Sequence, residues 1–243
     1  MSDRPPLTVV FDLDGTLVDT APDLIAALGV ALEREGIPNP PYEEARGLIG
    51  AGAKALVERG VAVAGREVSA ERLEELHAIF LDHYADHIAD RSRPYPGCLA
   101  ALDRLAAEGA KLAVCTNKIE RFARLLLDRL DLTGSFDAIV GGDTFGVGKP
   151  APAPLHGAIR QAGGELERAV MIGDSLADVK AARAAGVPVV VMTFGYTETP
   201  AAELGGDVLI DHFDELDEAI RRVTATASPA EQAAPPRRSG TGQ

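Results

Sequence analysis

Val9-Val10-Phe11-Asp12-Leu13-Asp14-Gly15-Thr16 joins a short apolar run to two aspartates one residue apart, followed by a glycine. The apolar run reads as a buried strand. Side chains in a strand alternate between faces, so Asp12 and Asp14 start on the same side of the backbone. Two carboxylates that close repel and resist ionising together unless a cation lies near them. A strand end carrying such a pair has the chemistry to hold a hard metal ion and to move protons. The same D-x-D spacing also arises by accident on solvated loops of acidic proteins, so the pair has to be read with the rest of the chain.

Three further segments share its design. Lys111-Leu112-Ala113-Val114-Cys115 reads as a second buried strand and runs into Thr116-Asn117-Lys118. Gly148-Lys149-Pro150 sets a lone lysine between a glycine and a proline, just before a helical pattern. Val170-Met171-Ile172 reads as a strand ending in Gly173-Asp174-Ser175, with Asp178 four residues beyond Asp174. Each segment places a small polar or charged group at the exit of an apolar run. In parallel α/β sheets that carboxyl edge is where ligands bind.

Between the first strand and the second, the periodicity is helical. Thr20 reads as an N-cap with Pro22 in the first turn, Leu24, Ile25, Leu28 and Leu32 form one face, and Gly36 ends the helix. A second helix from Ser69 carries Leu73, Leu76, Phe80 and Tyr84, and Ile49-Gly50-Ala51-Gly52-Ala53 breaks the stretch between them. Pro94-Tyr95-Pro96-Gly97 is turn chemistry. After it come helices over Cys98–Glu108, Ile119–Leu130 and Asp214–Val223, and strands at Ala138–Val140, Val187–Met192 and Val208–Ile210. Such alternation predicts an α/β fold: a doubly wound, Rossmann-like parallel-sheet core with an inserted small α-helical cap domain. The expected boundaries are 1–19 and 94–223 for the core, 20–93 for the cap, and 224–243 for a disordered tail rich in Ala, Pro, Ser and Gly.

The 243 residues are 46% hydrophobic, enough for one substantial core and a smaller one. A net charge of −13 speaks against a nucleic-acid or anionic-membrane partner. It also repels anionic substrates, so a site for them needs local positive charge from a metal ion, Lys149 or helix N-termini. Cys98 and Cys115 show no paired spacing, which suits a reducing compartment. Met1 to Pro6 lacks the apolar stretch of a signal peptide, and Val187–Met192 is too short to span a bilayer. The expectation is a soluble cytoplasmic protein. His83 and His87 lie four apart without the Glu of an H-E-x-x-H pattern and read as a solvated helix edge.

In this order, Asp12-Leu13-Asp14-Gly15-Thr16, Thr116, Lys149 and Gly173-Asp174-Ser175 with Asp178 resemble the four motifs of the haloacid dehalogenase-like hydrolases, over roughly residues 7 to 223. The resemblance implies that Asp12 is a nucleophile forming an aspartyl-phosphate, and that Asp14 is the general acid and then the base. It implies Mg²⁺ held by Asp12, Asp174 and, through its main-chain carbonyl, Asp14; oxygen donors without histidine or thiol suit that ion. Thr116 would hydrogen-bond a phosphate oxygen, and Lys149 would keep Asp12 ionised. Asp178 has two readings, fixing metal-bound waters or charging the first turn of a helix favourably. Asn117 either helps bind phosphate or caps the next helix.

The dehalogenases of the superfamily lack the second aspartate, so Asp14 points to phosphate esters, and Thr16 stands where related mutases tend to have valine. The runs Asp12 to Leu24, Ile49 to Ala53, Tyr95-Pro96-Gly97 and Cys115 to Lys118 are similar to members that hydrolyse 2-phosphoglycolate to glycolate and phosphate. The substrate would be a small anionic phosphate ester. The Gly50–Ala53 turn, with Gly52 inside it and Arg46 and Lys54 flanking it, is the expected reader of the carboxylate through main-chain N–H groups and added charge. Alternatives on the same scaffold are a sugar-phosphate phosphatase, a pyrophosphatase or a phosphomutase. A non-catalytic phosphate-binding regulator would have lost one of Asp12, Asp14, Thr116, Lys149 or Asp174, and all five are present. The oligomeric state is not legible.

Overall fold

The computed structural model describes residues 5–197 and 199–226. The chain runs through β1 (Thr8–Phe11), the two-residue β2 (Val18–Asp19), and helices α1 (Ala21–Glu33), α2 (Tyr42–Gly47), α3 (Ala53–Val63) and α4 (Ala70–Asp86). It returns through β3 (Arg93–Pro94) and then alternates: α5 (Cys98–Ala107), β4 (Lys111–Cys115), α6 (Glu120–Arg129), β5 (Ala138–Val140), α7 (Pro152–Gln161), β6 (Ala169–Gly173), α8 (Leu176–Ala185), β7 (Val189–Met192), β8 (Val208–Ile210) and α9 (Leu216–Thr226).

Six strands form one parallel sheet in the order β5-β4-β1-β6-β7-β8, with Val10 of β1 in register with Ala113 and Met171. Chain order reverses at β1: the polypeptide builds outward through β4 and β5, then crosses back to lay β6 on the other side. That reversal opens a crevice at the carboxyl ends of β1, β4 and β6. Both faces of the sheet are covered. Val9, Phe11, Leu112, Val114, Val170 and Ile172 join the apolar cluster that includes α5, α6, α9 and the helical insert. Val10, Ala113, Cys115 and Met171 face the cluster under α7 and α8, with Leu155, Ile159 and Val179. Burial on both sides explains why the strands are apolar runs rather than alternating ones.

In the insert, α1 packs on α3 and α4 around Leu28, Leu32, Leu76, Phe80 and Tyr84. The two chain crossings between insert and sheet are joined by the antiparallel pair β2–β3, with Asp19 opposite Arg93. Asp23 fastens them. Its buried carboxylate accepts hydrogen bonds from Ser92 N (2.8 Å), Ser92 Oγ (2.7 Å) and Arg91 N (3.0 Å). Burial alone would raise its pKa, but the Ser92 and Arg91 hydrogen bonds outweigh that and hold it below the usual carboxylate range.

Three expectations need correction. Thr20 does precede α1, but its hydroxyl makes no cap; it donates to Asp14 Oδ1 at 2.7 Å. The free N–H groups there, those of Thr20 and Ala21, donate instead to the Tyr196 phenol oxygen at 2.7 and 2.9 Å. The Val187 strand begins at Val189, because Pro188 accepts from Met171 N but has no N–H of its own for the ladder. Asp214 lies in a 3₁₀ turn over Phe213–Glu215, and α9 runs past 223 to Thr226, with the Thr224 hydroxyl donating to Ile220 O. The remainder of the expected tail, 227–243, lies outside the described residues. Among the described residues no helix is long and apolar enough to cross a membrane.

Candidate active site

The main chain carries the sheet one residue beyond its strands to place the site. Asp12 N donates to Ile172 O at 2.9 Å, and Thr116 N to Val140 O at 3.0 Å, so both side chains are aimed from ladder positions at the crevice. Asp174 follows β6 directly. Gly15, with φ +84°, makes the tight turn after Asp14, and a Cβ there would come within 2.5 Å of Asp174 Oδ2. Only glycine allows that turn to lie so close to a carboxylate.

Lys149 is buried, and its ammonium lies 2.9 Å from Asp12 Oδ1 and 2.6 Å from Asp178 Oδ1 while donating to Cys115 O at 2.7 Å. Burial would lower its pKa, but the charges of Asp12 and Asp178 overcome that and hold it above the normal lysine value. Asp178 completes the frame through its other oxygen, which accepts from Ser175 Oγ, Ser175 N and Asp174 N at 2.6 to 3.2 Å. Ser175 and Asp178 form the capping box of α8. Asp178 is therefore a helix-capping group and a charged partner of Lys149 together. Asp174 accepts from Thr16 Oγ1 and from Tyr196 N, each at 2.7 Å.

Asp12, Asp174 and Asp178 are buried, and each offers a carboxylate oxygen within 4.8 Å of the others. Against them stands one lysine. Burial pushes Asp12 up to about 6 against the pull of Lys149. Burial, with the charges of Asp178 and Asp12, takes Asp174 up to about 8. An oxygen-only donor set with uncompensated negative charge in a dry setting fits a hard divalent cation.

Asp14 stands apart from this cluster. Both of its carboxylate oxygens are held by the Lys118 ammonium, at 2.8 and 2.9 Å, and Oδ1 also accepts from Thr20. Its side chain is thus directed to Lys118 and Thr20, which leaves only its main-chain carbonyl for the metal contact that the resemblance implies.

A cavity lies between sheet edge and insert. Asp12, Asp14, Thr116, Asn117 and Lys118 form its polar wall, Gly50 and Gly52 one rim, and Leu56, Phe80 and Tyr84 its apolar roof. Thr116 is buried, and its hydroxyl accepts from Lys118 N at 3.2 Å. Asn117 does not cap α6, whose N-cap is Ile119, and its amide nitrogen is already engaged. Its Nδ2 donates to Gly50 O and Lys149 O, tying the glycine turn to the lysine loop. Gly52 (φ +90°) stands at the start of α3 with space on the cavity side.

The flanking cations do not reach the cavity. The Arg46 guanidinium donates to Phe194 O at 2.6 Å and lies over the Tyr196 ring, 5.0 Å from its centre. Lys54 is exposed and paired with Glu74. Both are engaged elsewhere because nearer acceptors, a main-chain carbonyl and a helix-surface glutamate, satisfy them. Three residues that hold the site escaped sequence reasoning in these roles: Lys118, Thr16 and Tyr196. Lys118 and Thr16 stand inside the motifs with nothing in the local pattern to reveal these partners, and the Phe194-Gly195-Tyr196 loop carries no pattern.

A Rossmann-like parallel sheet with these motif residues at its carboxyl edge defines a class. The family model described as haloacid dehalogenase-like hydrolase matches residues 9–192, and the chain belongs to that family. Among curated relatives, it is 45% identical over 223 residues to the phosphoglycolate phosphatase of Caulobacter vibrioides, covering 91% of this chain and 94% of that protein. Among solved structures, it resembles a predicted phosphoglycolate phosphatase from Haemophilus somnus 129PT. There the TM-score is 0.83, the identity 30%, and the match covers 90% of this chain and 99% of that one. It also resembles CbbY from Rhodobacter sphaeroides, solved in complex with phosphate, with TM-score 0.74, 26% identity, and 87% and 96% of the two chains covered.

Proposed function

We propose that this protein is a Mg²⁺-dependent cytoplasmic phosphatase that hydrolyses 2-phosphoglycolate to glycolate and phosphate. The observation that carries the reading is the buried set of Asp12, Asp174 and Asp178, with Lys149 paired to Asp12 and Asp178, at the sheet edge beside Thr116 and Asp14. Asp12, Asp174 and the Asp14 main-chain carbonyl would hold Mg²⁺, which would supply positive charge beside the phosphate.

The residues do the rest. Lys149 keeps Asp12 ionised, and a carboxylate oxygen of Asp12 attacks phosphorus in line with the ester bond. As the phosphorus–oxygen ester bond breaks, Asp14 gives its proton to the departing alkoxide, leaving an aspartyl-phosphate on Asp12. Asp14, now a carboxylate, takes a proton from water. The water oxygen attacks phosphorus, and the bond to Asp12 breaks to release phosphate. Thr116 donates to a phosphate oxygen, Asn117 positions the lysine loop, and Gly52 in the insert turn contributes to the substrate wall. The helical insert, 20–93, acts as a cap that excludes water during both steps.

The test is a phosphate-release screen over 2-phosphoglycolate, sugar phosphates, nucleotides and pyrophosphate. 2-Phosphoglycolate is expected to give the highest kcat/KM with Mg²⁺, and EDTA to abolish turnover until Mg²⁺ is restored. Full turnover in metal-free buffer, or a sugar phosphate turning over best, would reject the corresponding part of the assignment.

A further inference from the structure

We infer that Lys118 reads the substrate carboxylate, and that its ammonium passes from Asp14 to that carboxylate. The inference rests on the phosphoglycolate reading proposed above and names the residue that enforces it.

The geometry sets the problem. Each oxygen of Asp14 accepts from the Lys118 ammonium, and one of them from Thr20 as well. The clasp is buried: the Lys118 side chain is 6% exposed and its ammonium sits 4.9 Å from the centre of the Tyr84 ring. A buried ammonium cannot leave its counter-ion without gaining another, because desolvation would go uncompensated.

The substrate supplies the replacement. In 2-phosphoglycolate one methylene separates the ester oxygen from the carboxylate. When Asp14 addresses the ester oxygen, the carboxylate therefore lies within reach of the ammonium that holds Asp14. Among the described residues Lys118 is the one cation lining this cavity. Lys149 is committed to Asp12, Asp178 and Cys115 O, Arg46 to Phe194 O, and Lys54 to Glu74. A phosphate ester with a neutral tail has nothing to exchange, so it leaves the clasp shut. Discrimination then falls on kcat as well as on KM, because a neutral-tailed substrate leaves Asp14 paired with Lys118.

The experiment compares 2-phosphoglycolate with 2-hydroxyethyl phosphate, a neutral-tailed analogue, on the full Mg²⁺-loaded chain. Wild type is expected to favour 2-phosphoglycolate in kcat as well as kcat/KM. Lys118→Met should narrow the kcat/KM ratio by about 10²-fold, the scale of a lost hydrogen bond to a charged group. Lys118→Arg should keep most of the preference. Lys118→Gln, which retains length and polarity, serves if the Met variant does not fold, with the same narrowing expected. A wild type that prefers 2-phosphoglycolate, beside neutral variants that keep the preference, overturns the role of Lys118 and leaves the proposed function standing. A wild type without the preference overturns both.

Discussion

The sheet edge and the helical insert are both built over apolar cores, but they place their charges in opposite ways. At the sheet edge Asp12, Thr16, Thr116, Lys149, Asp174 and Asp178 are buried and bonded to one another or to main chain. In the insert, apart from the buried Asp23, charged pairs such as Lys54–Glu74 and Arg72–Glu75 are exposed, and the side facing the cavity is Leu56, Phe80 and Tyr84. Exposed pairs of that kind contribute little to stability and are readily exchanged. A buried network of three carboxylates, two of them paired with one lysine, is the reverse. It is costly to desolvate, and such arrangements cluster where chemistry is done. The buried charge is therefore concentrated in the sheet edge, while the insert supplies an apolar roof and a few points of attachment.

The comparison breaks most visibly at Asp12. Asp12→Asn keeps the volume but removes the nucleophile, and turnover is expected to fall by about 10⁴-fold or more, the scale of losing a covalent catalyst. The covalent phosphate trapped by acid quenching should vanish with it. Residual turnover near wild type would show that the buried network holds the fold together and does no covalent work.

A smaller effect is expected at Asp14, which lies between the two regions, bonded to Lys118 below and to Thr20 at the root of α1. Asp14→Asn should slow hydrolysis of alkyl phosphates by roughly 10²–10⁴-fold, the range of a positioned acid–base group. A nitrophenyl phosphate, whose leaving group needs little protonation, should lose much less. Equal losses on both esters would mean that Asp14 positions Lys118 or the Gly15 turn instead of moving a proton.

The two regions also differ in how far they could be read from the chain. The sheet edge was legible because burial of each strand on both faces leaves a local imprint: Asp12, Thr116 and Asp174 each end an apolar run, and Lys149 sits between Gly148 and Pro150. What binds these groups together was not legible. Lys118 meets Asp14 across 104 residues, and Thr16 meets Asp174 across 158. Periodicity carries no record of such pairings. Thr20 shows the limit within a single residue. Its place before a helix followed from local preference, but its hydroxyl turned to Asp14 because the Tyr196 phenol, 176 residues away, already satisfied the helix N–H groups. In the insert, helix faces were readable from spacing, whereas the partners of Arg46 and Lys54 were not, since long cationic side chains reach whatever acceptor the fold brings near.

The smallest effect is expected at Arg46, and it sharpens the comparison by separating attachment from recognition. Its guanidinium joins the insert to the loop after β7, through Phe194 O and the Tyr196 ring, and Tyr196 N in turn donates to Asp174. Arg46→Ala removes one charge-assisted hydrogen bond and one cation–π contact, at a cost of about 1–3 kcal/mol in stability. A melting temperature lowered by several degrees is the expected readout. Because the guanidinium does not line the cavity, the kcat/KM ratio between 2-phosphoglycolate and 2-hydroxyethyl phosphate should stay at its wild-type value while both rates fall modestly and together. A loss confined to 2-phosphoglycolate would place Arg46 against the substrate carboxylate. The insert would then be a reader of the substrate as well as a roof, and the division between the two regions would fail at its best-defined contact.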